Sequence, residues 1–321
     1  MSSTTKVFSD HSRKLPFLLA ISSLAINTGY AAFHTYAEVV LADNPVAYYR
    51  FEDSSTNNLD TASNSGSSGP VLDGEYIGSN FSQIDNDFNS GVNSLGSALN
   101  VGNNSGTNYV KIDDHDDLDF TTALSIEAWV NLPASPSNTY SRILDKHRQG
   151  SYMLYLYEST GQPAVEASGG RIVTSEDIRG DGWTHIVSTY EGGVGWSFYL
   201  NGELQTNTTI SSPIPDSLNT NTSQLNLFSD PASGGFGDRL TGLVDEIALY
   251  DATLSAERVL AHYNAAAVPE ASSYALLLGG LALGLAALRR RICFLSARLV
   301  GWGSLGSPLD GVMEASTKNR D

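Results

Sequence analysis

Carboxylates are the groups in this chain best supplied for chemistry, and they occur in three arrangements. The densest is Asp113-Asp114-His115-Asp116-Asp117-Leu118-Asp119, five carboxylates in seven residues. Oxygen-rich stretches suit a hard cation that takes about six to eight oxygen ligands. The alternating Asp-x-Asp-x-Asp-Gly order of a calcium loop is missing, however, so the run reads as a solvated acidic turn. The second is Glu127, set in an apolar segment. Glycosidic hydrolysis needs two carboxylates roughly 5 to 9 Å apart, and Glu127 has no acid two or four residues away. The third is the adjacent pair Asp245 and Glu246. On a regular strand neighbours point to opposite faces, so only one of them serves a given site unless a bulge intervenes. His185 shares strand parity with Trp183 and Val187, which describes a hydrogen-bonded packing residue better than a catalytic base. Neither Gly-x-Ser-x-Gly nor His-Glu-x-x-His occurs, so these patterns give no support to an enzyme.

The segments that carry these residues read as strands separated by turns. Leu124-Ser-Ile-Glu-Ala-Trp-Val130 puts Leu124, Ile126, Ala128 and Val130 on one face and Glu127 and Trp129 on the other. Tyr152, Leu154 and Leu156 share a face in the next clear strand. Asn201-Gly202 joins two strands with the residues that a type I′ hairpin turn requires. After Leu240–Tyr250, Ser255 caps a short helix running to about Tyr263, with Leu254, Val259, Leu260 and Tyr263 facing the sheets. Short strands without βαβ alternation predict an all-β, two-sheet antiparallel sandwich. Tyr140, Trp196 and Phe236 are either sugar-stacking aromatics or packing residues.

The order of these segments resembles the LamG-like, concanavalin A-like jelly-roll domains. Six pieces carry the likeness: Ala47-Tyr-Tyr-Arg-Phe-Glu52, Asp60-Thr-Ala-Ser-Asn-Ser-Gly66, Leu124–Val130, Gly182-Trp183-Thr184-His185, Tyr199-Leu-Asn-Gly202 and Gly242–Tyr250. The resemblance implies a jelly-roll sandwich, a carbohydrate or other surface component as ligand, and a structural calcium held by Asp60 and Asp245. Some relatives of this sandwich are glucanases with Glu-x-Asp-x-x-Glu on one strand. That motif is not found here. A non-catalytic binding module is therefore expected, with a divergent polysaccharide hydrolase or a purely structural coat or biofilm component as the alternatives.

Composition and the chain ends set the compartment. Formal charge is −17, from 35 acidic and 18 basic residues, which disfavours nucleic acid as a partner. The single cysteine, Cys293, lies beyond the C-terminal apolar run, so the expected exported domain has no disulfide and no thiol chemistry. Lys6, Arg13 and Lys14 precede the apolar run Leu15–Ile26, as in a signal peptide, with cleavage after Ala31 or after Ala37. Ala271–Leu288 is 18 uncharged residues, about 27 Å of helix against a bilayer core of about 30 Å. Arg289, Arg290 and Arg291 close the run and hold that end in the cytoplasm. With Val268-Pro269-Glu270 before it, this segment resembles the PEP-CTERM sorting signal of Gram-negative bacteria, although Ala271 replaces the usual second Pro and a tail, 292–321, follows. That resemblance implies an exosortase-type processing enzyme as partner, passage through a membrane-anchored precursor, and delivery to the cell envelope or exopolysaccharide matrix. The expected organisation is a signal peptide at 1–37, a jelly-roll domain at 38–267, a sorting signal with a transmembrane helix at 268–291, and a tail of unassigned role at 292–321.

Overall fold

The computed structural model describes residues 35–267, apart from 54–60, 80, 86–95, 103–107, 136–139, 148–150, 211–214 and 231–237. Strands are numbered in chain order. Among the described residues, sheet A runs β14 (Glu203–Leu204), β13 (Gly195–Leu200), β12 (Trp183–Glu191), β7 (Ala123–Asn131), β17 (Leu243–Tyr250), β5 (Ser97–Asn100) and β4 (Ser82–Asp85), with β1 (Ala47–Tyr49) also paired to β17. Sheet B runs β15 (Thr208–Ile210), β11 (Gly170–Thr174), β10 (Gln162–Ala167), β9 (Tyr152–Tyr157), β8 (Arg142–Asp145), β16 (Leu225–Leu227), β6 (Tyr109–Ile112), β3 (Gly74–Ile77) and β2 (Thr61–Ala62). Every pairing in both sheets is antiparallel. This is the sandwich expected from the strand pattern.

Alternation builds the core. Leu124, Ile126, Ala128 and Val130 of β7 pack between the sheets with Tyr152, Leu154 and Leu156 of β9. Glu127 and Trp129 turn to the other side of sheet A, as their parity requires. The β12–β13 hairpin closes on Asn201 (φ 51°) and Gly202 (φ 80°), the two positive-φ positions of a type I′ turn. The Asn201 side chain accepts a hydrogen bond from the His185 amide at 2.9 Å and ties the turn to the strand.

Two helices cover the outer side of sheet A. Helix α1 (Tyr36–Ala42) begins with a capping box. The Thr35 hydroxyl accepts from the Glu38 amide, and the Glu38 carboxylate accepts from the Thr35 amide. Helix α2 (Ala256–Ala267) is capped by the Ser255 hydroxyl, which accepts from the Arg258 amide. Tyr36, Ala37, Val40, Leu254, Val259 and Ala266 are buried in the apolar layer beneath them. Two sequence expectations need correction here. The folded body includes Thr35, Tyr36 and Ala37, which a signal-peptide bound at 37 excludes and cleavage after Ala31 keeps. Leu260, expected to pack inward, is 45% exposed, because it sits about 100° around the helix from the buried Val259.

Strand β17 carries the bulge that the Asp245-Glu246 pair left open. Asp245 lies opposite Trp129 and Ala248 opposite Glu127, so β17 spends one residue more than β7 over this stretch. Glu246 takes up the extra residue with φ 52°. Asp245 and Glu246 therefore both lie on the outer side of sheet A.

Among the described residues no helix is long and apolar enough to cross a membrane. The run Ala271–Leu288, the sorting-signal residues Val268, Pro269, Glu270, Arg289, Arg290 and Arg291, and the signal-peptide segment up to residue 34 lie outside the described residues.

Candidate functional site

The polar groups of sheet A fall into a closed layer under the helices and an open cleft at one end of the strands. The closed layer is centred on Glu127, which is fully buried. The Tyr36 and Tyr250 hydroxyls each donate to it at 2.6 Å, and His185 Nε2 lies 2.7 Å from Oε1. His262 Nδ1 stands 3.0 Å from both carboxylate oxygens, and its Nε2 is 2.8 Å from Asp43 Oδ2. An imidazole with a carboxylate at each nitrogen donates from both, so His262 is an imidazolium here. Asp43 is also bound by the Arg258 guanidinium at 2.8 Å.

His185 Nδ1 is buried without a partner, which leaves Nε2 as the nitrogen that carries its proton. Its ring stacks on Trp129 at 4.8 Å, the packing role its parity predicted. Burial alone would raise the Glu127 pKa, but the charge of His262 and hydrogen bonds from both histidines hold it well below the carboxylate range. Burial likewise pulls His262 down, and Glu127 with Asp43 more than reverses it. Burial and the Glu127 charge raise the Tyr36 and Tyr250 hydroxyls. With four donors on two oxygens, Glu127 has no lone pair facing solvent. It is a structural anchor and is not placed to act on a substrate.

The acidic run is largely the solvated turn expected, with one internal partner added. Asp113 is exposed and pairs with Lys111 at 2.8 Å, as a solvated turn would. Asp114 instead binds the fully buried Lys146 ammonium at 2.6 Å. The Ser223 and Asn221 carbonyls accept from the same ammonium at 2.9 and 3.4 Å, and Asp119 stands 4.0 Å away. Two of the five carboxylates, Asp114 and Asp119, thus face a lysine.

Calcium was expected at Asp60 and Asp245. Asp60 lies outside the described residues. Asp245 is fully buried, and its Oδ1 accepts from the Glu246 amide at 2.9 Å. Beside it, Glu246 Oε1 is 3.5 Å from Arg50 Nε, and burial raises the Glu246 carboxyl to about 8. Arg50 thus already supplies the cation nearest Glu246. Among the described residues no group of three His, Cys, Asp or Glu could hold a metal. A calcium on Asp245 would therefore depend on carbonyl oxygens or on acids outside the described residues, such as Asp60.

The open cleft has a volume of about 660 Å³. It crosses the ends of four neighbouring strands, where Asn131 of β7, Leu243 of β17, Asn100 of β5 and Ser82 of β4 fall in one register row. Its lining includes Phe81, Asn100, Asn131, Pro133 and Thr241. The Phe81 ring is steadied by Tyr76 at 5.1 Å and Phe228 at 6.5 Å. Asn100 Oδ1 accepts from the Gly102 amide at 2.9 Å, which fixes the side chain at the strand end. The Thr241 hydroxyl is buried and has no hydrogen-bond partner. Gly242 brings β17 close to β7. With φ 129°, a Cβ there would lie 2.5 Å from the Asn131 carbonyl oxygen. Among the described lining residues none is charged. The arrangement offers one apolar ring, two amides and a hydroxyl, with no acid–base pair.

Sequence reasoning did not find this cleft. Its residues come from positions 81 to 242, and no local pattern marks their convergence. Of the aromatics considered for stacking, Tyr140 packs on Tyr155 and Tyr157 at 6.2 and 6.1 Å. Trp196 packs on Tyr190 at 5.0 Å and against the main core, and Phe236 lies outside the described residues.

Comparison with known proteins agrees with the architecture. Residues 104–260 match the model of the concanavalin A-like lectin/glucanases superfamily, in keeping with the two-sheet antiparallel sandwich described above. Among solved structures, the binding domain of Paraclostridial Mosquitocidal Protein 1 is similar, with a TM-score of 0.53 at 14% identity over 70% of this chain. This chain spans about half of that structure, 52% of its length. Domain 4 of AbnA, an extracellular arabinanase from Geobacillus stearothermophilus solved with arabinotriose, gives a TM-score of 0.49 at 16% identity, covering 68% of this chain and 98% of that one. The binding domain of Botulinum Neurotoxin DC in complex with SialylT gives 0.46 at 12%, covering 70% and 52%. At these identities the likeness is one of fold. No curated protein matched the sequence.

Proposed function

We propose that this chain is an exported, non-catalytic carbohydrate- or surface-binding module whose binding site is the cleft at the end of sheet A. The observation that carries the reading is the cleft lining: an aromatic ring, two amides and an orphaned hydroxyl, with no carboxylate pair among the described lining residues. Sugar rings present C–H faces to aromatic surface and hydroxyls to amides, and such sites combine apolar walls with a few placed polar groups. The match of residues 104–260 to a lectin and glucanase superfamily supports the same class. Hydrolysis is disfavoured because Glu127, central on its strand, is saturated by four donors and covered by helices.

The chain ends support export. In this reading a signal peptide starts translocation. Val268-Pro269-Glu270, the apolar run and Arg289–Arg291 then direct exosortase-type processing and release to the envelope or exopolysaccharide matrix. Cleavage after Ala31 would keep α1 whole, whereas cleavage after Ala37 would remove Tyr36 and the Thr35 cap. Calcium, held by Asp60 and Asp245, would steady the fold. The test is a glycan-array screen of the full chain, with calcium and again with EDTA. Binding to particular sugars is expected. A blank array from folded protein would replace this reading with that of a structural matrix component. An unchanged melting temperature and unchanged binding in EDTA would remove calcium from it.

A further inference from the structure

We infer that the cleft at the end of sheet A takes an uncharged saccharide, and that Asn131 and Thr241 select it through hydrogen bonds to sugar hydroxyls. The inference rests on the carbohydrate-binding reading above and adds the class of sugar and the residues that choose it.

Three observations carry it. The described lining has no lysine, arginine or histidine to meet a carboxylate, sulfate or phosphate, and proteins that bind anionic groups tightly do so through charge-assisted or bidentate contacts. Arg239, two residues before Thr241, already has a partner and is not among the described lining residues. The chain as a whole carries a formal charge of −17, so an acidic polysaccharide approaches against the protein's own field.

The second observation is positive. The Thr241 hydroxyl is buried with no partner. A buried polar group left unpaired is costly, and ligand, water or a neighbour normally satisfies it. It lines the same cleft as the Asn131 amide. A hydroxyl and an amide can each both donate and accept, which matches a sugar hydroxyl, itself both donor and acceptor. Phe81 supplies the third element, a flat apolar surface for the C–H face of the ring, held in place by Tyr76 and Phe228.

The third is geometric. Asn131 and Asn100 are both in register with Leu243 of β17, on either side of it. Gly242 lets β17 approach β7 where a side chain could not fit. The amides are thus carried by paired strands and are held in position before any ligand arrives, which lowers the ordering cost of binding.

The experiment is calorimetric titration of the full chain with matched oligosaccharides, each neutral sugar beside its uronate or sialylated counterpart, at low and high salt. Neutral members are expected to bind at least tenfold more tightly, with affinity unchanged by salt. Asn131→Ala and Thr241→Val are expected to weaken neutral binding about tenfold each, with melting temperatures close to that of the parent. Preference for the acidic members, or salt-sensitive binding, would overturn the inference and leave the carbohydrate reading standing. Parental affinity in both variants would move the site elsewhere on the domain. No binding to either set would overturn the carbohydrate reading, and this inference with it.

Discussion

Glu127 and Asn131 lie on one strand and on one side of sheet A, four residues apart, yet they are in opposite situations. Glu127 carries a charge and is closed in, with two tyrosines and two histidines filling its lone pairs. Asn131 is uncharged and borders an open cleft whose nearby Thr241 hydroxyl has no partner. A buried charge persists only when its partners are complete, since the desolvation penalty is several kcal/mol per ion. A neutral amide can stay at the surface unpaired, in water, until a ligand replaces that water. The ionised cluster, which by composition looks like the chemistry, is the part of the molecule that holds α1 and α2 down. The modest amide row is the part that remains available.

This contrast can be broken most severely at Glu127. Glu127→Ala leaves the His262 imidazolium without its main partner and two tyrosine hydroxyls without an acceptor. A loss of about 3–5 kcal/mol is expected in denaturant unfolding. A loss under 1 kcal/mol would mean that the layer is wetter and looser than the geometry describes. Lys146→Met should come next, at about 3 kcal/mol, because Asp114 is about one-third exposed and can recover water once its partner is gone. Tyr36→Phe removes one donor to Glu127 and keeps the ring, so about 1–2 kcal/mol is expected. A similar loss on deleting residues up to Ala37 would confirm that α1 belongs to the domain.

The pH dependence sharpens the same comparison. The His262 pKa is raised by folding, so its contribution is complete below its ordinary value of 6.5 and is lost as pH rises through the raised value. The Glu127 pKa is lowered, so its contribution is complete above 4.5 and is lost as pH falls through the lowered value. Glu246, raised by burial to about 8, weakens the fold over the window from its ordinary value of 4.5 up to about 8, and so adds to the decline below pH 8. The melting temperature is therefore expected to peak on the acid side of neutrality and decline through alkaline pH, and His262→Gln should flatten the decline. A peak above pH 8 would contradict the imidazolium assignment. The smallest stability change is expected at the cleft. Asn131→Ala should shift stability by no more than about 0.5 kcal/mol, as for other surface positions, while its effect is read in ligand affinity.

The strands were legible because their alternation is local. Leu124–Val130 and Tyr152–Leu156 announce which residues face inward, and Asn201-Gly202 announces its turn, since only certain residue types tolerate those backbone angles. Parity alone also placed Glu127, Trp129 and His185 away from the main core. The bulge at Glu246 was less legible. Nothing about a glutamate favours positive φ, and only the pairing of β17 with β7 imposes it. The meeting of Tyr36, Asp43, Glu127, His185, Tyr250 and His262 could not be read, because helices from the two ends of the domain deliver three of the six residues. The cleft was hidden for the same reason.

Periodicity and turn chemistry act between near neighbours, so the sequence by itself determined the strands and the sandwich class. Which acids are buried and which polar groups stay open depends on contacts between residues tens to hundreds of positions apart. Burial decides whether a carboxylate becomes an anchor or a reagent, and only the tertiary structure settled that for Glu127, Asp114 and the Asn131 row.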